Sequence, residues 1–427
     1  MSPTEKSATS EPSTGQGGFI SPSRSAGMLA ANVWGAISMV AVTAVAARVL
    51  NESDYTQFLV YWSLLFGVLQ IVTGVQNESA RATSEVLLVT DDRAPHLGTR
   101  IIAMPLILAG VLGVVVAISG PLWARHVSVG VVVLMVSAIV VVSYGCEFAV
   151  FGVLAGRHQW GTLAFLNALG PTVRISGVVA VAFLIPTLKS MQLAAVLPEL
   201  FWLATILALW RVRSATLAIS DVPLNKLLAN GVRAMFAASA SAVLLNAFPA
   251  IVRLALGDNT AGLASLLLGI QLTRAPLMMP LVAFQGLAVA GFVAARRNRL
   301  RALMKPFGAV VALGALVAVS AALIGPLLMR LLFGANYELP GIVLGGLAFA
   351  AVSIALLTLS GTAAIAVGDH RSFMMGWIIG AAVTVVLLFV VPIPAASRVI
   401  MAVLVGPLVG VAVHVAAIRR SDHVLVA

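Results

Sequence analysis

Charged side chains are scarce in this sequence: Asp, Glu, Lys and Arg make up 10% of its 427 residues, where an ordinary soluble domain carries about a quarter. With 60% of the residues hydrophobic, the chain cannot hide its apolar surface in a water-soluble fold. Acids are scarcer than bases, 15 against 26, and the net charge of +11 raises the question of nucleic acid. A nucleic-acid binder gathers its basic residues on one exposed face. Here they sit at the ends of apolar runs, which excludes that class of partner. Cysteine is nearly absent. Cys146, the single one, lies inside an apolar run, so the chain has no internal disulfide and no CxxC or Cys/His metal site, and the residue reads as a small packed side chain. No cofactor is expected.

Long apolar runs are what the sequence holds in abundance. A spanning helix needs about 20 apolar residues, and such runs recur at 28–47, 56–76, 101–119, 128–154, 162–185, 191–210, 233–254, 260–294, 305–328, 341–366, 372–391 and 398–418. The expected fold class is therefore all-α, a polytopic transmembrane bundle of about 12 helices. Residues 1–27, rich in Ser, Thr, Pro and Gly, read as a disordered cytoplasmic tail. The run from Met28 to Ala47 ends in small residues like a signal peptide, but it is long enough to span and follows a long polar leader. It is expected to be a retained first helix. The eighth run contains Arg274 and Pro276, which leaves open one long kinked helix or two shorter pieces.

Lys and Arg set the orientation, because cytoplasmic loops retain an excess of them. If the N-terminal tail is inside, each outer loop holds a single basic residue, Arg48, Arg125, Lys189, Arg253, Arg330 and Arg398. Nearly all the rest fall on the inner side, so both termini are expected in the cytoplasm. The longest polar connection, Arg211 to Arg233, divides the chain into a bundle at 28–212, a linker at 213–232, a second bundle at 233–420 and a tail at 421–427. Short echoes link the halves: Gly156-Arg157-His158 with Gly368-Asp369-His370-Arg371, and Arg48 with Arg253. Their similar offsets suggest a parallel duplication, with two six-helix bundles facing a central site.

The turn Ala47-Arg48-Val49-Leu50-Asn51-Glu52-Ser53-Asp54-Tyr55 and the segment Arg330-Leu331-Leu332-Phe333-Gly334-Ala335-Asn336-Tyr337 are similar to two turns of the polysaccharide flippases of the MOP superfamily, the Wzx-like proteins. The stretch from Ala364 to Arg371 resembles that family's exit from the tenth helix. Asn51 stands where the family often has Gly, and Gln57 where Gly is usual. The resemblance implies a MATE/MOP-like fold of two six-helix halves and location in the cytoplasmic (inner) membrane, among membrane lipids. It implies a polyprenyl phosphate- or pyrophosphate-linked oligosaccharide as substrate. It also implies envelope-polysaccharide glycosyltransferases or a polymerase as partners. Read from the residues alone, Arg48 and Arg330 snorkel to an interface and Tyr55 and Tyr337 anchor at headgroup level.

Ionisable residues inside a span cost roughly 2.5–3.5 kcal/mol each on insertion scales, so they usually face a cavity or a partner. Glu147, Arg174, Glu199 and Arg274 are the four here. Arg174 lies about 12 residues into its span, or about 18 Å at 1.5 Å per residue, and Arg274 at comparable depth in the other half. Pointed at a central cavity, the two arginines could hold a phosphate in bidentate hydrogen bonds. In the alternative, Arg174 neutralises Glu147 and Arg274 caps a kink at Pro276. Glu147 and Glu199 are candidates for ion coupling. Asn32, Asn246 and Gln271 are candidate substrate contacts, although such groups, Asn167 among them, are more often interhelical glue than ligands. The basic run Arg296, Arg297, Arg299, Arg301 and Lys305 reads as an anchor on anionic lipid.

Two other functions were weighed against the flippase. A cation-coupled MATE-type exporter shares the architecture, but the resemblance implies coupling acids in the first or seventh helix, and those spans hold no Asp or Glu. A membrane-embedded envelope glycosyltransferase would want paired acids on a large outer loop. The outer loops are short and hold only Glu52, Asp54, Asp258 and Glu338, while Asp91 and Asp92 lie in an inner loop beside Arg93. The chain is expected not to be an enzyme.

Overall fold

The computed structural model describes residues 22–88, 98–257, 260–274, 277, 299–366 and 369–424. The tail before residue 22, Asp91 and Asp92, Pro276, Gly368, Arg296 and Arg297 of the basic run and the continuity of the eighth span lie outside them. Among the described residues the chain is helical, and eleven helices are long and apolar enough to cross a membrane, by length and composition. The shorter apolar helix Leu263–Arg274 stands at the start of the expected eighth span.

The elements are α1 (Pro22–Val49), α2 (Glu52–Val72), α3 (Gly74–Leu88), α4 (Ala103–Trp123), α5 (Val131–Gly156), α6 (Trp160–Leu184), α7 (Leu188–Val196), α8 (Pro198–Ala208), α9 (Trp210–Thr216), α10 (Leu224–Ala242), α11 (Phe248–Leu256), α12 (Leu263–Arg274), α13 (Arg299–Phe333), α14 (Gly341–Ala366), α15 (His370–Val390) and α16 (Ala395–Val424). Local chemistry sets their ends. Asn51 is the N-cap of α2, its side chain accepting from the Asp54 backbone N–H at 2.9 Å, with Glu52 and Asp54 in the first turn where the helix dipole favours acids. Its φ of −68° is ordinary, so glycine is not needed there. Asp369 caps α15 in the same way through the Ser372 N–H. Thr187 and Ser190 form a capping box at α7.

The second crossing differs from its expected extent. Instead of ending at 76, the helix kinks at Thr73 and continues as α3, so that Glu52–Leu88 forms one 37-residue crossing. The polar residues of α3 look like loop in sequence, but they satisfy one another. Glu78 is buried and accepts from Arg81 at 2.9 and 2.7 Å and from Asn230 of α10 at 3.0 Å. Arg81 reaches on to Asp221 at 2.9 and 3.1 Å. Gly74 matters here because a Cβ at that position would run into the backbone at Ala234 and Met235 of α10.

The most extensive packing joins helices of the same half: α1 with α6, and α3 and α4 with α5, in the first; α13 with α14, and α14 and α15 with α16, in the second. The seam between them is α2 and α3 against α10 and α11. A second tie crosses it at the end that holds the α1–α2 turn. Arg48, expected as a lipid-interface anchor, instead donates to the carbonyls of Leu331 and Leu332 at the C-terminus of α13, where unpaired carbonyls attract a cation. Tyr55 and Tyr337 are buried rather than at headgroup level, and their rings meet edge-on at 4.8 Å.

Candidate functional site

The site grows out of a local irregularity in the seventh crossing. Between α10 and α11 the helix widens into a π segment, Val243–Ala247, a feature that frees carbonyls from the regular ladder and recurs at functional sites. The carbonyl of Asn246 accepts from the Ser63 hydroxyl of α2 at 2.7 Å, and the Asn246 side chain donates to Gln70 at 3.3 Å. The carbonyl of Leu244 accepts from Arg274 Nη1 at 2.7 Å.

Beside this segment lies a cavity of about 170 Å³ between the halves. Trp62, Ser63 and Phe66 of α2 form one wall, and Asn246, Gln271 and Arg274 the other. The space is large enough for a phosphate group. Arg274 is buried, stacked over the Phe248 ring at 4.8 Å, and its Nη2 has no hydrogen-bond partner among the described residues. No carboxylate pairs with it there.

The other intramembrane charges gather away from the cavity lining. Arg174 of α6 pairs with Glu199 of α8, and its Nε donates to the Ala195 carbonyl at 3.2 Å. Sequence order suggested Glu147 as its partner; the salt bridge is to Glu199. Pro198 explains the local arrangement, because a residue without an N–H loosens the helix and leaves carbonyls of the preceding turn open. Glu147 of α5 is buried next to the pair and interacts electrostatically with both members. Ser143 donates to the Glu199 carbonyl at 2.8 Å and accepts from Trp202 at 2.9 Å. The Arg174 guanidinium also lies 5.9 Å from the Trp62 ring and 5.2 Å from the Phe66 ring.

Of the residues singled out in sequence, the structure thus brings together Asn246, Gln271 and Arg274 in the cavity, and Glu147, Arg174 and Glu199 in a charge cluster. Asn32 is exposed on α1, outside the cavity lining. The aromatic pair Trp62 and Phe66, shared by both places, gave no signal in sequence beyond an ordinary apolar stripe. Neither did the π segment. No group of His, Cys, Asp and Glu that could hold a metal ion is found among the described residues.

This architecture has solved counterparts. A multidrug resistance MATE family transporter of the MOP superfamily, in its inward-facing conformation, matches at a TM-score of 0.72 with 13% identity over 93% of this chain and 99% of that one. The same description in an outward-facing conformation matches at 0.63 and 14% identity, over 94% and 96% of the two chains. A MOP superfamily transporter from Pyrococcus furiosus, described by the reverse polarity of its binding pocket, matches at 0.68 with 14% identity over 93% and 95%. The chain is therefore a multi-pass helical membrane protein with the fold of the MATE-type transporters of the MOP superfamily. No protein-family model matches it. In sequence it is 34% identical over 389 residues to Uncharacterized protein Rv1510 of Mycobacterium tuberculosis, covering 88% of this chain and 87% of the relative. It is 32% identical over 437 residues to Uncharacterized protein Mb3654 of Mycobacterium bovis, covering 98% of each. The chain belongs to the family of these mycobacterial proteins.

Proposed function

We propose that the protein is a transporter that moves an anionic amphiphile, specifically a lipid-linked oligosaccharide for the cell envelope, across the cytoplasmic membrane by alternating access. The observation that carries this reading is Arg274, a buried guanidinium whose Nη2 has no partner among the described residues, in the wall of the cavity between the halves. A buried cation without a counter-ion is costly, and a phosphate arriving in the cavity supplies the missing charge and acceptor oxygens. Asn246 and Gln271 offer further hydrogen bonds beside it. Arg274 gives this cavity a basic character. Passage of a whole lipid-linked glycan requires the halves to part.

In this reading Glu147 and Glu199 are the coupling site. Two buried carboxylates share one guanidinium, so the cluster has room for one further positive charge. Arg174 then belongs to coupling, and Arg274 carries the substrate's phosphate. In this reading both termini lie in the cytoplasm, which the excess of Lys and Arg in the inner loops supports.

Export in cells tests the reading. Arg274→Ala is expected to insert normally, to abolish surface polysaccharide and to cause the lipid-linked intermediate to accumulate on the cytoplasmic face. Arg274→Lys restores part of the export, since it keeps the charge and loses the planar fork. Normal export by the Ala variant at normal protein levels would overturn the reading. Efflux of a cationic dye that needs Glu147 or Glu199 but not Arg274 would replace it with that of a cation-coupled exporter.

A further inference from the structure

Trp62 and Phe66 belong to two sites at once. They lie one turn apart on α2, their ring centroids 4.6 Å from each other, and both line the cavity. The same two rings lie within cation–π range of Arg174, at 5.9 and 5.2 Å. Arg174 in turn is held by Glu199 and the Ala195 carbonyl, with Glu147 close by. A contiguous set of contacts therefore runs from the buried carboxylates, through one guanidinium, to the wall that a substrate touches.

We propose that Trp62 and Phe66 are positioning residues that make the shape of the cavity depend on whether the Glu147–Arg174–Glu199 cluster holds an extra proton. The proposal rests on the coupling role given to that cluster above. With both carboxylates ionised the cluster carries a net negative charge, and Arg174 is drawn towards the acids. When one carboxylate takes a proton that pull weakens, and the ring faces compete better for the guanidinium. The acids and the two ring faces thus compete for one guanidinium, and the position of the rings follows the balance between them.

The groups facing the cluster are few. Tyr144 on α5 is the further titratable side chain that interacts with all three charges, α2 contributes the two rings, and α7 the Ala195 carbonyl. The crossing formed by α1, packed on α6, contains no acidic residue. Cys146, the chain's single cysteine, is buried and can be replaced.

The test needs no substrate. In a Cys146→Ala background, Ala36→Cys places a thiol on the cavity wall, and Glu338→Cys, in a separate protein, supplies an exposed reference. Labelling by a small maleimide is followed from pH 5 to pH 8 in sodium-free nanodiscs containing choline chloride. Below the ionisation range of both thiols their thiolate fractions rise in parallel with pH, so the ratio of the two rates removes that common dependence. We expect this ratio to change at least threefold across the range. The change should vanish in Glu199→Gln and in Trp62→Leu/Phe66→Leu, and fall by at least half in the milder Phe66→Leu. A purely structural role for the rings would alter the ratio equally at every pH. A flat ratio in the parent protein overturns the proposal, and so does a pH response that survives unchanged in Phe66→Leu or in the double variant. Failure of the transport reading is a separate result, seen as normal export in Arg274→Ala.

Discussion

Arg174 and Arg274 occupy comparable depths, one in each half, and in sequence they look equivalent. Their surroundings are opposite. Arg174 has a carboxylate partner, a second acid nearby and a backbone carbonyl, and its side chain is 12% exposed. Among the described residues Arg274 has one carbonyl, one ring and an idle Nη2. The lesson is that a buried charge announces either a partner already present or one that has yet to arrive, and only the neighbouring helices decide which.

The sharpest way to break this comparison is to remove each arginine in turn and follow thermal unfolding of the purified protein. Arg174→Met leaves two acids without their cation, and losing one member of a buried pair typically costs about 3–5 kcal/mol. The charge-matched Arg174→Met/Glu199→Gln should recover most of that loss. If the single variant is as stable as the parent, the cluster is not held together by charge. Arg274→Met has far less to lose, one hydrogen bond at about 1 kcal/mol and a cation–π contact of similar size. A net loss below about 2 kcal/mol is expected, together with lost transport. Equal losses for the two arginines would erase the distinction between them. Ser63→Ala gives the smallest effect, about 0.5–1.5 kcal/mol, because it removes a hydroxyl that donates to Asn246 and accepts from the Ala250 N–H at the seam. No measurable change there would mean that the two halves are not joined by that bond. Orientation is checked separately with reporters: fusions in the Arg211–Arg233 connection and after Ala427 should read cytoplasm, and one on the Asn51–Tyr55 turn the outside.

The crossings were legible because apolar runs of spanning length leave little choice of structure. The extent of α3 was not. Glu78 and Arg81 carry loop-like polarity, and what keeps them helical is Asp221 and Asn230, well over a hundred residues later. The same limit applies to the site. Sequence marks Glu147, Arg174, Glu199 and Arg274 as expensive in lipid, but it cannot tell which helices bring them together. It offered Glu147 to Arg174, whereas the ion pair is with Glu199. Arg48 and Tyr337 were read as interface anchors from their positions at helix ends. Both instead join the halves, because the C-terminal carbonyls of α13 and the ring of Tyr55 lie within reach.

The central claim, that Arg274 waits for the phosphate of an anionic lipid, is tested most directly by binding to two probes that differ in that group. Polyprenyl phosphate and the neutral polyprenol of the same length would be titrated into nanodiscs holding the parent protein, Arg274→Gln or Ser63→Ala. The account predicts that the parent prefers the phosphate, that Arg274→Gln weakens phosphate binding at least tenfold while leaving the alcohol unchanged, and that Ser63→Ala weakens both little. Equal affinity of the parent and Arg274→Gln for polyprenyl phosphate would contradict it.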